Sequence, residues 1–182
     1  MSIYLRIPVP EPLQAYARGA VKATKIGCRG DFDGTQDQQY YGLMGELLMA
    51  RLFTGEWHDY ESKNDHGVDI VGLGDCKIDV KTCKRHRYIA ARDVHCYPAL
   101  QQDTQAHVVL FLNYHAVDDV IEICGWIPKR VVVDRDPAPV GKEITTAKGS
   151  FTTATETYIV PHHELDPVAV NILMGDYQWR ER

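Results

Sequence analysis

The feature that most constrains the fold is the apolar run of residues 107–112, HVVLFL. An apolar run without polar alternation is typical of a strand that is buried on both faces. Residues 120–127, VIEICGWI, have a similar character and predict a neighbouring strand. We therefore expect a sheet whose central strands are buried on both sides.

Two helices are predicted before these strands. Residues 12–25 have helical composition and spacing, and in residues 37–53 apolar side chains recur every three or four positions. Gly55 follows the second helix as a suitable C-terminal stop. Residues 27–36, between the two helices, are rich in glycine and aspartate and predict a loop.

Three shorter strands and a turn are predicted after the second helix. Residues 57–60 and 68–73 suit short strands, and residues 76–83 alternate between apolar and polar side chains. The glycines at 72 and 74 predict a turn, so the last two strands should form a hairpin. Another hairpin is predicted within residues 139–165, around Lys148-Gly149. Helices followed by a mixed sheet indicate an α/β or α+β domain.

The bulk composition is that of a folded protein with one domain. The chain has 182 residues, of which 45% are hydrophobic and 25% charged. No apolar run approaches the length that crosses a bilayer, and the proline-broken first residues do not resemble a signal peptide. Five cysteines without a CxxC pair favour reduced thiols and a cytoplasmic protein.

Charge is distributed unevenly along the chain. The net charge of −5 argues against a protein that coats nucleic acid through its overall field. Residues 77–92, however, contain six lysines and arginines against one acid, whereas residues 31–76 are strongly acidic. This pattern suits a protein that binds a metal and then a phosphate backbone, although a solvated charged face explains it as well.

The segment 65–85, DHGVDIVGLGDCKIDVKTCKR, contains the residues that could perform chemistry. Side chains two apart in a strand share a face, so Asp79 and Lys81 should project together. The glycine turn should bring Asp69 beside them. Two carboxylates and a backbone carbonyl, such as that of Val80, would form an oxygen site for Mg²⁺ or Mn²⁺.

Such a site would suit phosphodiester hydrolysis. A bound metal lowers the pKa of a water molecule, and Lys81 could orient that water and stabilise transition-state charge. Lys84, Arg85 and Arg87 could contact neighbouring phosphates of a nucleic acid. In the simpler interpretation, Asp79 and Lys81 are solvent-facing strand residues in weak ion pairs, and Asp69 caps a turn.

The spacing of these residues resembles the PD-(D/E)xK nuclease superfamily. The matching pattern is Asp69, nine intervening residues, and then Asp79-Val80-Lys81, with the apolar Ile78 before it. Val68 stands where the family has its leading proline. Many members also have a glutamate on the preceding helix, and Glu46 matches that feature.

The resemblance covers residues 37–128 and implies an α/β restriction-endonuclease-like fold, a mixed β-sheet flanked by helices. Its core order of helix, three strands, helix and strand would fit residues 37–112. We expect residues 1–182 to form one nuclease domain, with an amino-terminal helix at 12–25 and a β-hairpin extension at 139–165, although the resemblance leaves both ends of the chain unassigned. The resemblance also implies that Asp69, Asp79, Val80 and Glu46 hold the metal and that the products have 5′-phosphate and 3′-hydroxyl ends.

Other enzyme classes are less well supported, because GxSxG, P-loop, GxGxxG and HExxH motifs are missing from the sequence. The family favours DNA as the substrate, and the lack of a long apolar run predicts no membrane partner. The acidic net charge leaves open a homodimer or a protein partner that adds affinity. The alternative function is a non-catalytic nucleic-acid-binding or phage accessory protein that retains the nuclease fold.

Overall fold

The computed structural model describes residues 4–23, 35–55, 67–72, 75–146 and 149–167. The strand predicted at 57–60 lies outside these residues, as does the loop predicted at 27–36 except for its last two positions. None of the helices within the described residues is long and apolar enough to cross a membrane.

Both predicted helices are confirmed. Helix α1 spans Glu11–Ala23 and helix α2 spans Gln36–Thr54. Helix α2 begins with a capping box, in which Thr35 Oγ1 accepts from the Gln38 N–H at 3.2 Å and the Gln38 side chain accepts from the Thr35 N–H at 2.7 Å. It ends at Gly55, whose left-handed backbone (φ 79°) lets its N–H donate to the Arg51 carbonyl at 2.8 Å.

The main sheet is mixed and has five described strands. They are β1 (Leu5–Pro8), β2 (Ile70–Val71), β3 (Lys77–Arg85), β5 (Val108–His115) and β6 (Val120–Pro128), in the spatial order β1-β6-β5-β3-β2. Strands β3 and β5 are parallel, and the other neighbours are antiparallel. The predicted β2–β3 hairpin and the predicted β5–β6 neighbours are therefore confirmed, whereas β1 was not predicted.

A second, two-stranded sheet pairs β4 (Val94–Pro98) with β9 (Thr157–Pro161). The remaining elements are helix α3 (Lys129–Val133) and the hairpin of β7 (Glu143–Thr146) and β8 (Gly149–Thr152). The hairpin confirms the prediction around residue 149 but is shorter than the predicted 139–165. Residues 157–161 leave it because Tyr158 and Val160 are buried in the apolar core beside β4.

The family resemblance implied a helix between strands β3 and β5, and that prediction is wrong. Residues 86–107, which connect β3 to β5, form β4 and a single 3₁₀ turn at Ala99–Gln101 instead. This stretch includes Pro98 and then a polar run with Asp103 and Thr104, residue types that favour turns over helix interiors. The architecture is thus mixed α/β, with a β-strand and a turn where the family resemblance implied a helix.

The main sheet separates two apolar cores. Helices α1 and α2 cover one face, where they bury Ile78, Val80 and the even-numbered side chains of β5. Strands β4 and β9 and helix α3 cover the other face, where they bury Val109 and Phe111. All eight residues of β5 are buried, as the apolar run predicted.

Helix α2 approaches β3 closely at one glycine. A Cβ atom at Gly45 would lie 2.0 Å from Thr82 Oγ1 and 3.0 Å from Leu112 Cδ1, whereas a Cβ at Gly42 would have no atom within 4 Å. We expect Gly45→Ala to destabilise the protein by about 1–3 kcal/mol through overpacking, and Gly42→Ala to stabilise it by about 0.5–1 kcal/mol through helix propensity. Urea unfolding of both variants measures these changes. Equal stability of the two variants would contradict the close packing of α2 on β3.

Candidate active site

The candidate site lies at the edge of β3 where its hairpin partner ends. Strand β2 pairs with β3 only at Ile70–Ile78 and Val71–Lys77, and the Asp69 N–H extends the contact by donating to the Ile78 carbonyl at 2.9 Å. In the described part of the chain no strand continues this pairing. The next β3 amide on this side of the strand, that of Val80, donates to Asp69 Oδ2 at 2.6 Å instead. The Asp69 carboxylate thus takes the place of a strand partner.

The backbone of Val80 orients a carbonyl toward the same edge. In a β-strand the N–H and C=O groups of one residue point to the same side. Because the Val80 N–H points toward Asp69, its carbonyl also lies on that side, away from β5. The position predicted for a carbonyl ligand is therefore placed beside the Asp69 carboxylate.

Asp79 and Lys81 share the opposite face of β3 from Val80, as the alternation predicted. Asp79 is completely buried, and one of its carboxylate oxygens, Oδ1, accepts from Lys81 Nζ. The other oxygen, Oδ2, accepts from the hydroxyl of Tyr97 at 3.1 Å. The interpretation of Asp79 as a solvent-facing strand residue is therefore wrong, because a buried carboxylate must be held by specific partners.

Glu46 reaches the site from the helical layer. It follows Gly45, whose missing side chain lets α2 pack directly on Thr82 of β3. Glu46 is half-buried, and its charge acts on both Asp69 and Lys81. The structure thus brings together the four predicted catalytic residues, Glu46, Asp69, Asp79 and Lys81.

Electrostatically the site has more negative than positive charge. Burial raises the pKa of Asp69 well above its usual value, and the charges of Glu46 and Asp79 raise it further, against the opposing effects of Lys81 and the Val80 amide. Burial lowers the pKa of Lys81, but the neighbouring carboxylates outweigh burial and raise it overall. Three carboxylates around one ammonium leave a surplus of negative charge that a divalent cation would balance.

The chemistry of the donors fits Mg²⁺ or Mn²⁺, since carboxylate and carbonyl oxygens are their preferred ligands. Among the described residues, however, no three side chains of the His, Cys, Asp or Glu type are arranged to hold a metal together. Lys81 contacts one oxygen of Asp79, and the Val80 amide contacts one oxygen of Asp69. Metal binding would therefore require Lys81 to leave Asp79, with Asp69, Asp79 and the Val80 carbonyl as protein ligands.

The three residues predicted to bind phosphates have internal partners. Lys84 Nζ lies 2.6 Å from Asp37 Oδ2 in an ion pair at the protein surface, and Arg85 donates to the Val94 carbonyl at 2.8 Å. Arg87 binds both carboxylate oxygens of the buried Asp93. Of these three side chains, that of Lys84 is the one whose partner is well exposed, with Asp37 60% accessible.

Two residues near the site were missed by sequence reasoning. Tyr97, at the end of β4, contacts Asp79 directly, and the buried Lys129, at the start of α3, contacts Thr104 beside Tyr97. Tyr97 is 18 residues from Asp79. No motif connects these positions, because their contacts arise from packing the second sheet on β3.

None of the protein-family models, curated proteins and solved structures compared with this chain matches it.

The raised pKa of Asp69 predicts how stability depends on pH in metal-free buffer. The folded protein binds the proton of this carboxyl more tightly than the unfolded chain does. Asp69 therefore favours folding below its ordinary pKa of about 4, and this contribution is lost as the pH rises through the raised pKa. Asp69→Asn keeps an oxygen for the Val80 amide and removes the charge. With EDTA at pH 7, we expect its Tm to exceed that of the wild type by a few degrees, and the gap to shrink below pH 4.

Asp37→Asn is the matched control, because Asp37 is mostly exposed and pairs with Lys84. We expect no increase in its Tm at pH 7. An Asp69→Asn protein less stable than the wild type at pH 7 in EDTA would contradict the electrostatic description of the site.

Proposed function

We propose that this protein is a metal-dependent nuclease of the PD-(D/E)xK type, which hydrolyses phosphodiester bonds of DNA. The observation that carries the proposal is that the Asp69 carboxylate contacts the Val80 amide at the edge of β3 beyond β2, while the neighbouring Asp79 binds Lys81. Glu46 adds a third carboxylate from α2. Each of these positions matches one of the family's motif residues.

The residues have distinct roles in this proposal. Asp69, Asp79 and the Val80 carbonyl would hold Mg²⁺ or Mn²⁺, and Glu46 would add negative charge and a further oxygen. The metal, when bound, would neutralise phosphate charge and lower the pKa of a water molecule. Lys81 would orient the attacking water and donate hydrogen bonds to the phosphate as negative charge develops.

Lys81 also affects metal binding directly. Its ammonium group contacts the same Asp79 oxygen that a metal would use. The lysine stem is flexible, and 22% of the side chain is exposed, so the ammonium can turn toward solvent without unfolding β3. Lys81 therefore competes with the metal for Asp79 and, once displaced, is available to the substrate.

The net charge of −5 limits how the substrate is held. We propose that DNA contacts a short strip that includes Lys84, and that a homodimer or another protein supplies further affinity. The described cysteines, Cys76, Cys83, Cys96 and Cys124, are free thiols, which agrees with a cytoplasmic site of action.

The second candidate function is a non-catalytic nucleic-acid-binding or phage accessory protein that retains a nuclease-like site. The closed contact between Lys81 and Asp79 favours it, because such a pair also stabilises a buried carboxylate that has no catalytic role. Metal binding separates the two candidates, since only the nuclease requires it.

The carboxylate and the lysine should affect metal binding in opposite ways. We expect Asp79→Asn to abolish both Mn²⁺ binding in calorimetry and cleavage of plasmid, linear and single-stranded DNA. We expect Lys81→Met to bind Mn²⁺ as tightly as the wild type or more tightly, because the competing ammonium is gone. Its cleavage rate should nevertheless fall by about 10²–10³-fold, the usual loss for a transition-state donor.

Lys77→Met is the control for Lys81→Met. Lys77 lies on the same face of β3, and its ammonium binds Gln105 Oε1 at 2.9 Å. This variant should cleave and bind metal like the wild type. If the wild type neither binds Mn²⁺ nor cleaves any of the DNA substrates, the nuclease proposal fails and the non-catalytic alternative stands.

Lys84 and Arg87 should differ in their effects. We expect Lys84→Ala to weaken DNA binding at all sequences and to reduce the slope of log affinity against log salt by about one. Arg87→Ala should instead destabilise the fold by about 3–5 kcal/mol, because it leaves the buried Asp93 carboxylate without its guanidinium. Salt titrations of DNA binding and urea unfolding measure the two effects. A Lys84→Ala protein with unchanged salt dependence would remove Lys84 from the DNA strip.

A further inference from the structure

The hydroxyl of Tyr97 connects the candidate metal ligand Asp79 to a polar cluster formed by the Gln101 carbonyl, Thr104 and Lys129. Tyr97 is completely buried, and its hydroxyl oxygen lies 3.1 Å from Asp79 Oδ2, 2.9 Å from the Gln101 carbonyl and 3.3 Å from Thr104 Oγ1. Thr104 in turn accepts from Lys129 Nζ at 2.8 Å. A continuous chain of hydrogen bonds thus runs from Lys129 to Asp79.

The two ends of this chain define its direction. An ammonium group can only donate hydrogen bonds, and an ionised carboxylate can only accept them. Thr104 therefore accepts from Lys129 and has its own proton free for Tyr97, and Tyr97 donates onward. Its proton is shared between Asp79 and the Gln101 carbonyl, of which the charged carboxylate is the stronger acceptor.

Lys129 is an unusual residue for this position. It is 5% exposed, and its closest described partners are the neutral oxygens of Thr104 rather than a carboxylate. A buried ammonium is costly unless its charge is compensated. Burial lowers the pKa of Lys129, and the charges of Asp79 and Asp103 oppose that shift. Lys129 thus lies at one end of the hydrogen-bond chain and Asp79 at the other, with Thr104 and Tyr97 between them.

The same cluster touches the segment that leads to Asp69. Gly67 has a left-handed backbone (φ 73°), and a Cβ there would lie 2.4 Å from Thr104 Cγ2. Thr104 thus packs against Gly67, two residues before Asp69, and also contacts Tyr97, which binds Asp79.

We propose that Tyr97 is a positioning residue for the metal-binding carboxylate of Asp79, held in its donating orientation by Thr104 and Lys129. The inference rests on the proposed nuclease function. If Lys81 left Asp79, the carboxylate would keep the Tyr97 hydrogen bond at Oδ2, and Oδ1 would become available as a metal ligand. The second sheet, through β4, then contributes directly to the site.

Tyr97→Phe tests the proposal because it removes the hydroxyl and retains the ring. We expect its Mn²⁺ affinity in calorimetry to fall by about 10–100-fold, the range for losing a partner of a metal ligand. The Mg²⁺ concentration for half-maximal cleavage should rise by a similar factor, while KM for DNA at saturating metal stays unchanged.

Tyr158→Phe is the matched control. Tyr158 is a buried tyrosine of β9 whose ring centre lies 6.4 Å from that of Tyr97, and its hydroxyl donates to Gln102 Oε1 at 2.9 Å. It loses a buried hydroxyl without affecting Asp79, so its Mn²⁺ affinity should equal that of the wild type.

Thr104 provides a test of the chain itself. Thr104→Val retains the shape against Gly67 but removes the hydroxyl, and it should weaken Mn²⁺ binding in the same direction as Tyr97→Phe. Thr104→Ser retains the hydroxyl and should restore binding. Because the residues act in series, the double variant Tyr97→Phe with Thr104→Val should bind no more weakly than Tyr97→Phe alone.

The outcomes separate the two proposals. If the wild type binds no Mn²⁺, the proposed function fails and this inference fails with it. If the wild type binds Mn²⁺ through Asp79 but Tyr97→Phe binds it as tightly as Tyr158→Phe does, the nuclease proposal stands and the positioning role of Tyr97 is overturned.

Discussion

Within the residues that the structure describes, strand β3 has a long partner, β5, on one side and a two-residue partner, β2, on the other, and the candidate site depends on this difference. Backbone amides that are buried need a hydrogen-bond acceptor. Beyond Ile78 the amide of Val80 meets a side chain, that of Asp69, instead of a strand. The backbone requirement therefore determines where the Asp69 carboxylate lies. It also leaves the Val80 carbonyl on the same side of the strand as that carboxylate.

The second constraint is the burial of charge. Asp79 is completely buried and accepts hydrogen bonds from Lys81 and Tyr97. The ionised form of Asp69 is destabilised by burial and by the like charges of Glu46 and Asp79. A protein without a functional need for this arrangement gains little from it, because apolar side chains of similar volume often stabilise a core as well or better. Such local instability is common where a site is preorganised for binding or catalysis.

Local patterns in the sequence predicted much of the fold. Helix α2 has a capping residue, a periodic apolar face and a glycine stop, and β5 has an unbroken apolar run, so each could be recognised alone. The β4–β9 pairing was not predicted, because its strands are short and about 60 residues apart in the chain, a separation over which local pattern carries no information. The prediction of a helix before β5 was wrong for a related reason. It relied on the order of elements in the nuclease family and not on a helical pattern in residues 86–107.

The part of the candidate site that lies on one hairpin could be predicted from the sequence, and the part contributed by the second sheet could not. Asp69, Asp79 and Lys81 lie on one hairpin, so their proximity follows from strand geometry. Tyr97 approaches from another sheet and has no such relation to them. The basic run after β3 was ambiguous in the sequence, because Arg87 is paired with Asp93 only once the turn between them has folded.

The charge of the site also determines the order of events in the proposed reaction. A DNA phosphate that approached Asp69, Asp79 and Glu46 without a metal would meet a surplus of negative charge, and Lys81 would be occupied by Asp79. A divalent cation bound there would balance the surplus negative charge, and it would take the Asp79 oxygen that Lys81 now contacts. Asp79 is too deeply buried to contact the substrate itself. The proposed nuclease must therefore bind its metal before its substrate can be held productively, and Lys81 connects the two binding steps.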